Sequence, residues 1–169
     1  ASFDRAARRV PLSDTWNNDL VPQLDTLRKQ IMTIGAVRTI QLRGKCALSS
    51  GVAIGATFPA VGGWIFEIPQ PPAKENWRSD AAPTTGYALQ VEIVEGRSNG
   101  TDLVLGLNIR GDGRQDVIRY IEQTGVAPNA FVFMSPPNQG AQSIGGAEDA
   151  CAMARAVRER LGEILKVRQ

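Results

Sequence analysis

Two periods of apolar residues alternate along this chain, one near 3.6 and one near 2, and the switches between them mark its elements. In "LSDTWNNDLVPQLDTLRKQIMTIGA" the residues Leu20, Leu24, Leu27 and Ile31 recur at helical spacing behind cap-type Ser13 and Asp14, and the pattern stops at Gly35. This predicts one helix, started or kinked at Pro22, whose ring removes a backbone donor. "VRTIQLRG" predicts a short strand, and "CALSSGVAIGATF" is either a glycine-loosened helix or a buried loop leading into one. "GWIFEIP", "QVEIVEG" and "DLVLGLNIR" predict three further strands, the last apolar enough to be covered on both faces. Helix "RQDVIRYIEQTG" closes at Gly125, strand "AFVFMSP" follows, and "AEDACAMARAVRERLGEIL" ends the series as a long amphipathic helix. "PQPPAKENWRSDAAPTTG", residues 69–86, is the longest region without periodicity, and it predicts a loop.

Strand, helix, strand, helix after Asp102 is the order of a parallel βαβα unit, and the first half repeats it less cleanly. The expected fold is therefore α/β and Rossmann-like, with mainly parallel central sheets flanked by helices. It divides into an N-terminal arm over 1–12, a first half over 13–100 and a second over 101–169. In such sheets ligands gather beyond the carboxyl ends of the strands. Two polar loops, "RGKCALSSG" and "SPPNQGAQSIGG", leave strand ends of this kind.

Composition narrows the chemistry. With 169 residues, 43% hydrophobic and 21% charged, the chain can bury a core and is no disordered tail. A net charge of +2 without a basic run argues against duplex nucleic acid as a partner. No apolar run approaches the roughly 20 residues that cross a bilayer, and no signal-peptide pattern precedes the first helix. Cys46 and Cys151 have no metal-ligand spacing, so a reduced, cytoplasmic setting is expected. The chain starts at Ala1 without methionine, which reads as a piece of a longer protein. Without a single histidine there is no Ser-His-Asp, Cys-His or His-metal centre, and no GxSxG, Walker or GxGxxG motif replaces one. Cys151 falls on the apolar stripe Ala150, Cys151, Ala154, Val157, Leu161 of the last helix, with Arg155, Arg158, Glu159 and Arg160 outside it, as a packed small residue would.

The two loops carry the candidate binding groups. Arg43 and Lys45 flank Gly44 just after a strand, where two cations and backbone amides can meet a phosphodiester, and Ser49 and Ser50 add donors one turn on. The same residues also fit a solvated strand end followed by a helix start. Asn138, Gln139, Gln142 and Ser143 offer the mixed donors and acceptors that a base edge or ribose needs. Because Glu148 and Asp149 already occupy the first turn of the next helix, a phosphate there would be repelled, so this loop is assigned to base and sugar and the Arg43 side to phosphates. A capped polar surface loop would look the same. Trp77, between Lys74 and Arg78, can stack on a purine or anchor its loop, whereas Trp16 and Trp64 lie in periodic segments and are expected in the core. Asn108, at the end of a strand, either points into the site or completes a hydrogen-bond network.

In their order, "IQLRGKCALSSGVAIGATF", "GWIFEIP", isolated Trp77, "LVLGLNI" and "QSIGGAEDACAMARAVRERL" resemble the SAVED domain of bacterial antiphage systems, over about Trp16 to the C-terminus. That resemblance implies two fused CARF-like halves and a sensor without catalysis of its own. Its ligand would be a cyclic oligonucleotide, usually a cyclic oligoadenylate, with no cofactor and no metal. The signal would pass to a linked or associated effector, a nuclease, protease or other enzyme, of a CBASS or CRISPR defence system, with ligand-induced oligomers as one route. Two other classes stay open on the residues: a Rossmann-like enzyme that opens the cyclic ligand by positioning a ribose hydroxyl for in-line attack, and a docking scaffold whose site has decayed.

Overall fold

The structure is a computed structural model that describes residues 13–35, 38–44, 48–70, 75–97 and 99–168, without the side chains at 13, 48 and 49. Contacts divide the chain into two compact units, one ending at Arg78 and the other starting at Ser79.

The first unit opens with α1 (Ser13–Thr15), which runs through a π-helical turn at Trp16–Leu20 into α2 (Val21–Ile34). The wide turn ends at Leu20, and α2 then starts with Pro22 in its first turn, where the missing N–H costs no ladder bond, so of the two expectations the structure shows a regular α-helix started at the proline. α3 (Leu48–Thr57) packs on α2, which settles the glycine-containing segment as a helix. The strands β1 (Thr39–Gln41), β2 (Ile65–Ile68) and β3 (Trp77–Arg78) form one sheet in that order. β1 and β2 are parallel, with Ile40 opposite Phe66, whereas β3 returns antiparallel with Trp77 opposite Ile68. The connection 69–76 is too short for a parallel crossover, which takes about a dozen residues or more. Phe58 and Trp64 are the buried centre of this unit, their rings edge-on at 4.9 Å, with Phe66 edge-on to Phe58 at 6.4 Å. Trp64 is thus a core residue as expected. Trp16 is only partly buried and borders a groove with Leu20, Leu24 and Leu27 of the helical stripe and Ala53 and Ile54 of α3.

In the second unit β4 (Gln90–Glu95), β6 (Pro128–Ser135) and β5 (Asp102–Leu107) form a sheet with β6 in the middle. β5 runs parallel to β6 and β4 antiparallel. Each sheet therefore pairs one parallel with one antiparallel neighbour: the α/β class holds, and the sheets are mixed rather than mainly parallel. β4, placed in the first half by the sequence, pairs along its whole length with β6 and so lies in the second unit. The strand covered on both faces is β6, where Ala130, Val132 and Met134 are fully buried on one face and Phe133 and Ser135 buried on the other, and not β5, whose Leu107 is exposed at the sheet edge. α4 (Arg114–Thr124) ends as predicted at left-handed Gly125, whose N–H bonds Ile121 O at 2.9 Å. α5 (Ala147–Val167) buries Ala152 and Met153. Ala154, assigned to its apolar stripe, is exposed, and Cys151 is turned instead toward the Ser79 carbonyl at 3.4 Å. The buried face is therefore rotated toward Met153, because the segment 79–87 and not the core meets the Cys151 side.

Beyond the last helix, Arg168 bonds Glu95 at the end of β4 at 2.6 Å and Asn129 Oδ1 at 2.9 Å. The Arg168 hydrogen bond holds the Glu95 carboxyl below its ordinary range, against a smaller opposing effect of desolvation. A depressed carboxyl contributes stability that is complete above its unfolded-state value and lost as pH falls through the lowered one. Arg168→Gln is accordingly expected to remove one acid-sensitive increment of stability, small because the pair is exposed. Denaturant unfolding of both proteins at neutral pH and at acid pH checks this; the same gap at both values would refute it.

Candidate functional site

The parallel pair β5 and β6 ends at Leu107 and Ser135, and antiparallel β4 begins beside them, with Gln90 opposite Ser135. This edge holds an open cleft of about 290 Å³, lined among others by Gln90, Glu92, Asn108, Arg114, Ser135 and Gln139. Strand period 2 brings Gln90 and Glu92 to the same face, and strand ends leave Asn108 and Ser135 at the rim. Asn108 is buried, with its N–H extending the ladder to Met134 O at 2.9 Å and its Oδ1 accepting the Gly113 N–H at 3.0 Å. Asn108 thus completes a hydrogen-bond network through its backbone N–H and side-chain carbonyl, and it also lines the cleft.

Arg114, the first residue of α4, is held from three sides. Its Nη1 donates to Glu92 Oε1 at 3.0 Å, with a second, close contact from Nη2 to Oε2. Its Nε lies 3.3 Å from Asp112 Oδ1, outside hydrogen-bonding alignment, and Cζ stands 5.3 Å from the centroid of the Phe133 ring. Asp112 also accepts the Arg114 backbone N–H at 3.0 Å, which fixes the turn that starts the helix. Two carboxylates against one guanidinium leave the cleft lining with one negative charge.

Of the residues singled out in the sequence, the structure brings Asn108 and Gln139 together here. Gly140 N–H reaches Ile109 O at 3.4 Å, which ties the "PPNQGAQS" loop to the end of β5. Asn138 and Gln142 are exposed and Ser143 partly buried, and none of the three lines the cleft. Glu148 and Asp149 stand in the first turn of α5 as expected, but no side chain caps its N-cap Gly146; Asp149 Oδ2 accepts the Gly145 N–H at 3.0 Å and Oδ1 the Thr84 hydroxyl at 2.6 Å.

The other candidates belong to the first unit. Arg43 is exposed, donates from Nε to Gln41 Oε1 at 2.8 Å, and borders an open hollow of about 480 Å³ with Gln41, Gly44, Pro69 and Asn76. Lys45 and Cys46 lie outside the described residues, as does the side chain of Ser49, whose backbone belongs to α3. Ser50 faces the groove between α2 and α3, with Trp16, Leu24 and Leu27, and not the strand-end hollow. Trp77, expected in a loop, is in strand β3, partly buried and paired with Ile68, because the aperiodic stretch contains a two-residue strand too short to show a period. The Cys151 thiol is pushed up chiefly by burial, the opposite of an activated nucleophile.

Gln90, Glu92, Asp112, Arg114 and Ser135 were not among the residues picked from the sequence. The signal for Asp112 and Arg114 is "NIRGDGRQD", a Gly/Asp turn between an apolar strand and a helix, which is the same kind of strand-to-helix loop as the two that were picked, whereas Gln90, Glu92 and Ser135 lie in strands and carry no such signal. Among the described residues no group of His, Cys, Asp and Glu side chains could hold a metal ion, and no helix is long and apolar enough to cross a membrane.

The family model for SAVED, the "SMODS-associated and fused to various effectors sensor domain", matches residues 23–169. Among solved structures the chain is similar to the Acinetobacter baumannii Cap4 SAVED/CARF-domain containing receptor bound to the cyclic trinucleotide 3'3'3'-cAAA, at 18% identity and a TM-score of 0.75 over 94% of this chain and 36% of that one. The same receptor with 2'3'3'-cAAA gives 19% and 0.72 over 94% and 32%. The Moraxella osloensis Cap4 receptor gives 17% and 0.62 over 90% and 32%. The chain thus spans about a third of the length of the receptors it matches, and the likeness is one of fold. Comparison with the sequences of curated proteins finds no match.

Proposed function

The chain belongs to the SAVED family of sensor domains, and on that premise we propose that it binds a cyclic oligonucleotide, a cyclic oligoadenylate first of all, and passes that event to a linked or associated antiphage effector. The observation that carries this reading is the family match over residues 23–169. The geometry supports it with a polar cleft at the carboxyl ends of parallel strands, where this class of sheet holds its ligands. The cleft presents carboxamides, a hydroxyl and a net negative charge, so it suits a base and ribose and disfavours a phosphodiester. Taken by itself, the first unit offers Arg43 and Lys45, with the Ser49 hydroxyl, as proposed phosphate contacts and Trp77 as a proposed stacking contact, whereas Ser50, turned to the groove between α2 and α3, is given none; in the second unit Asn138, Gln142 and Ser143 are proposed as contacts beyond the cleft lining. The two compact units are proposed to be the two CARF-like halves.

We assign the chain no chemistry of its own. The carboxylates of the cleft are engaged by Arg114 or by the start of α4, and the one described thiol is deactivated by burial. Effector activity then resides in another domain or chain, in the cytoplasm, with ligand-dependent oligomers or release of a docked partner as the output.

A ligand that binds only the folded state stabilises it by about 2.7 kcal/mol at a hundredfold excess over Kd. Thermal unfolding with 3'3'3'-cAAA is therefore expected to shift upward by several degrees, with no consumption of the ligand. An unchanged midpoint with cyclic di-, tri- and tetranucleotides alike would reject the sensor reading, and cleaved product would favour the enzyme. Sedimentation with and without saturating ligand tests the output, since an unchanged mass with unchanged partner association removes both routes.

A further inference from the structure

We propose that Arg114 acts in ligand recognition as a stacking platform for a nucleobase and not as a phosphate ligand. The inference rests on the reading of the strand-end cleft as a cyclic-nucleotide site and adds the specific role of the one cation among its described lining residues.

An arginine at the mouth of a nucleotide site would ordinarily be assigned to a phosphate, because its fork matches two phosphate oxygens. Here the fork is taken. Both terminal nitrogens face the Glu92 carboxylate, and Asp112 sits along the remaining edge. A phosphodiester would have to displace Glu92 and enter a lining that already carries one excess negative charge. Its Cζ stands 5.3 Å from the centroid of the Phe133 ring, which is itself only 6% exposed. With its fork engaged, the side chain still keeps 41% of its surface open and borders the cleft, so what it offers a ligand is the open surface of a planar cation and not the fork. A planar cation clamped at its edges is preorganised for stacking on a base, and the order Phe133, Arg114, base continues the existing contact by one layer. Asn108 and Gln139, in the same cleft, offer carboxamides to the edge of that base.

The two roles separate experimentally by plane, charge and salt. The probe is 3'3'3'-cAAA, with Kd measured by calorimetry between about 50 and 500 mM salt, a range over which exposed ion pairs are strongly screened. Arg114→Lys keeps the charge and loses the plane. It is expected to weaken binding about tenfold or more with the salt dependence of Kd unchanged. Glu92→Gln loosens the clamp and is expected to weaken binding as well. Near wild-type affinity in Arg114→Lys overturns the proposal, as does tighter and more salt-dependent binding in Glu92→Gln, the signature of a phosphate entering a vacated fork. If the lysine variant melts early, Arg114→Gln decides in its place: weaker binding at unchanged salt dependence supports the platform, and a flattened salt dependence overturns it. Wild-type protein that binds no cyclic nucleotide would bring down the sensor reading itself, and this role with it, whereas wild-type binding with unaffected variants removes this role alone.

Discussion

Met134→Ala is expected to lower the unfolding free energy by about 2 to 5 kcal/mol, the range for truncating a large buried aliphatic side chain. Met134 is fully buried in the central strand β6, with Val91 opposite on β4 and Leu107 on β5, and its carbonyl accepts the Asn108 N–H at 2.9 Å. Truncation removes contacts on the strand from which both neighbours hang, so relaxation of one neighbour cannot fill the void without disturbing the other. A control at Val94, which is 40% exposed on the edge strand β4, is expected to cost well under half as much when changed to alanine. Denaturant titration of the three proteins tests this, and equal midpoints for the Met134 and Val94 variants would show that β6 is not the stability centre.

Gly106→Ala should cost about 1 to 3 kcal/mol, the usual scale of overpacking, and should also disturb the cleft. A methyl group added at Gly106 would stand 2.6 Å from Phe133 Cδ1 and 2.9 Å from Cε1. Around the Phe133 ring the Phe131 ring lies parallel at a centroid distance of 6.5 Å, and the half-exposed Arg114 side chain, with its Cζ at 5.3 Å, is the neighbour free to move. What gives way is therefore the ring's contact with Arg114, and with it the clamp that Glu92 completes. Shortening the neighbour should relieve the clash: the double variant Gly106→Ala/Phe133→Leu is expected to be more stable than the sum of the two single effects predicts, a coupling that residues in direct contact show. Strict additivity would refute the steric account.

The element pattern was legible because burial on one face imposes a period on the sequence. α2, α4 and α5 each keep apolar residues on a stripe, and the strands around Ile40, Phe66, Ile93, Val104 and Val132 appear where short apolar runs are bounded by glycine or proline. The end of α4 at Gly125 was legible as well, because left-handed backbone at a helix end favours glycine. Two residues of the cleft could be read too: Asn108 and Gln139 stand where a strand ends and a loop starts, and the polarity of such loops shows without coordinates.

What the sequence by itself determined is the alternation of strands and helices, the absence of histidine chemistry, and the polar loops at strand ends, all of which follow from residue type and local spacing. Only the tertiary structure decided which strands pair and in which direction. The residues of β4 suit either neighbour, and it is hydrogen bonding along the whole of β6 that places Gln90 and Glu92 at the cleft. The same holds for Arg114, whose type would suit a phosphate. Its meaning comes from Glu92, 22 residues earlier in the chain, and from Phe133 on the central strand. Charge at a site is a sum over side chains brought together by folding, and no window along the chain contains that sum.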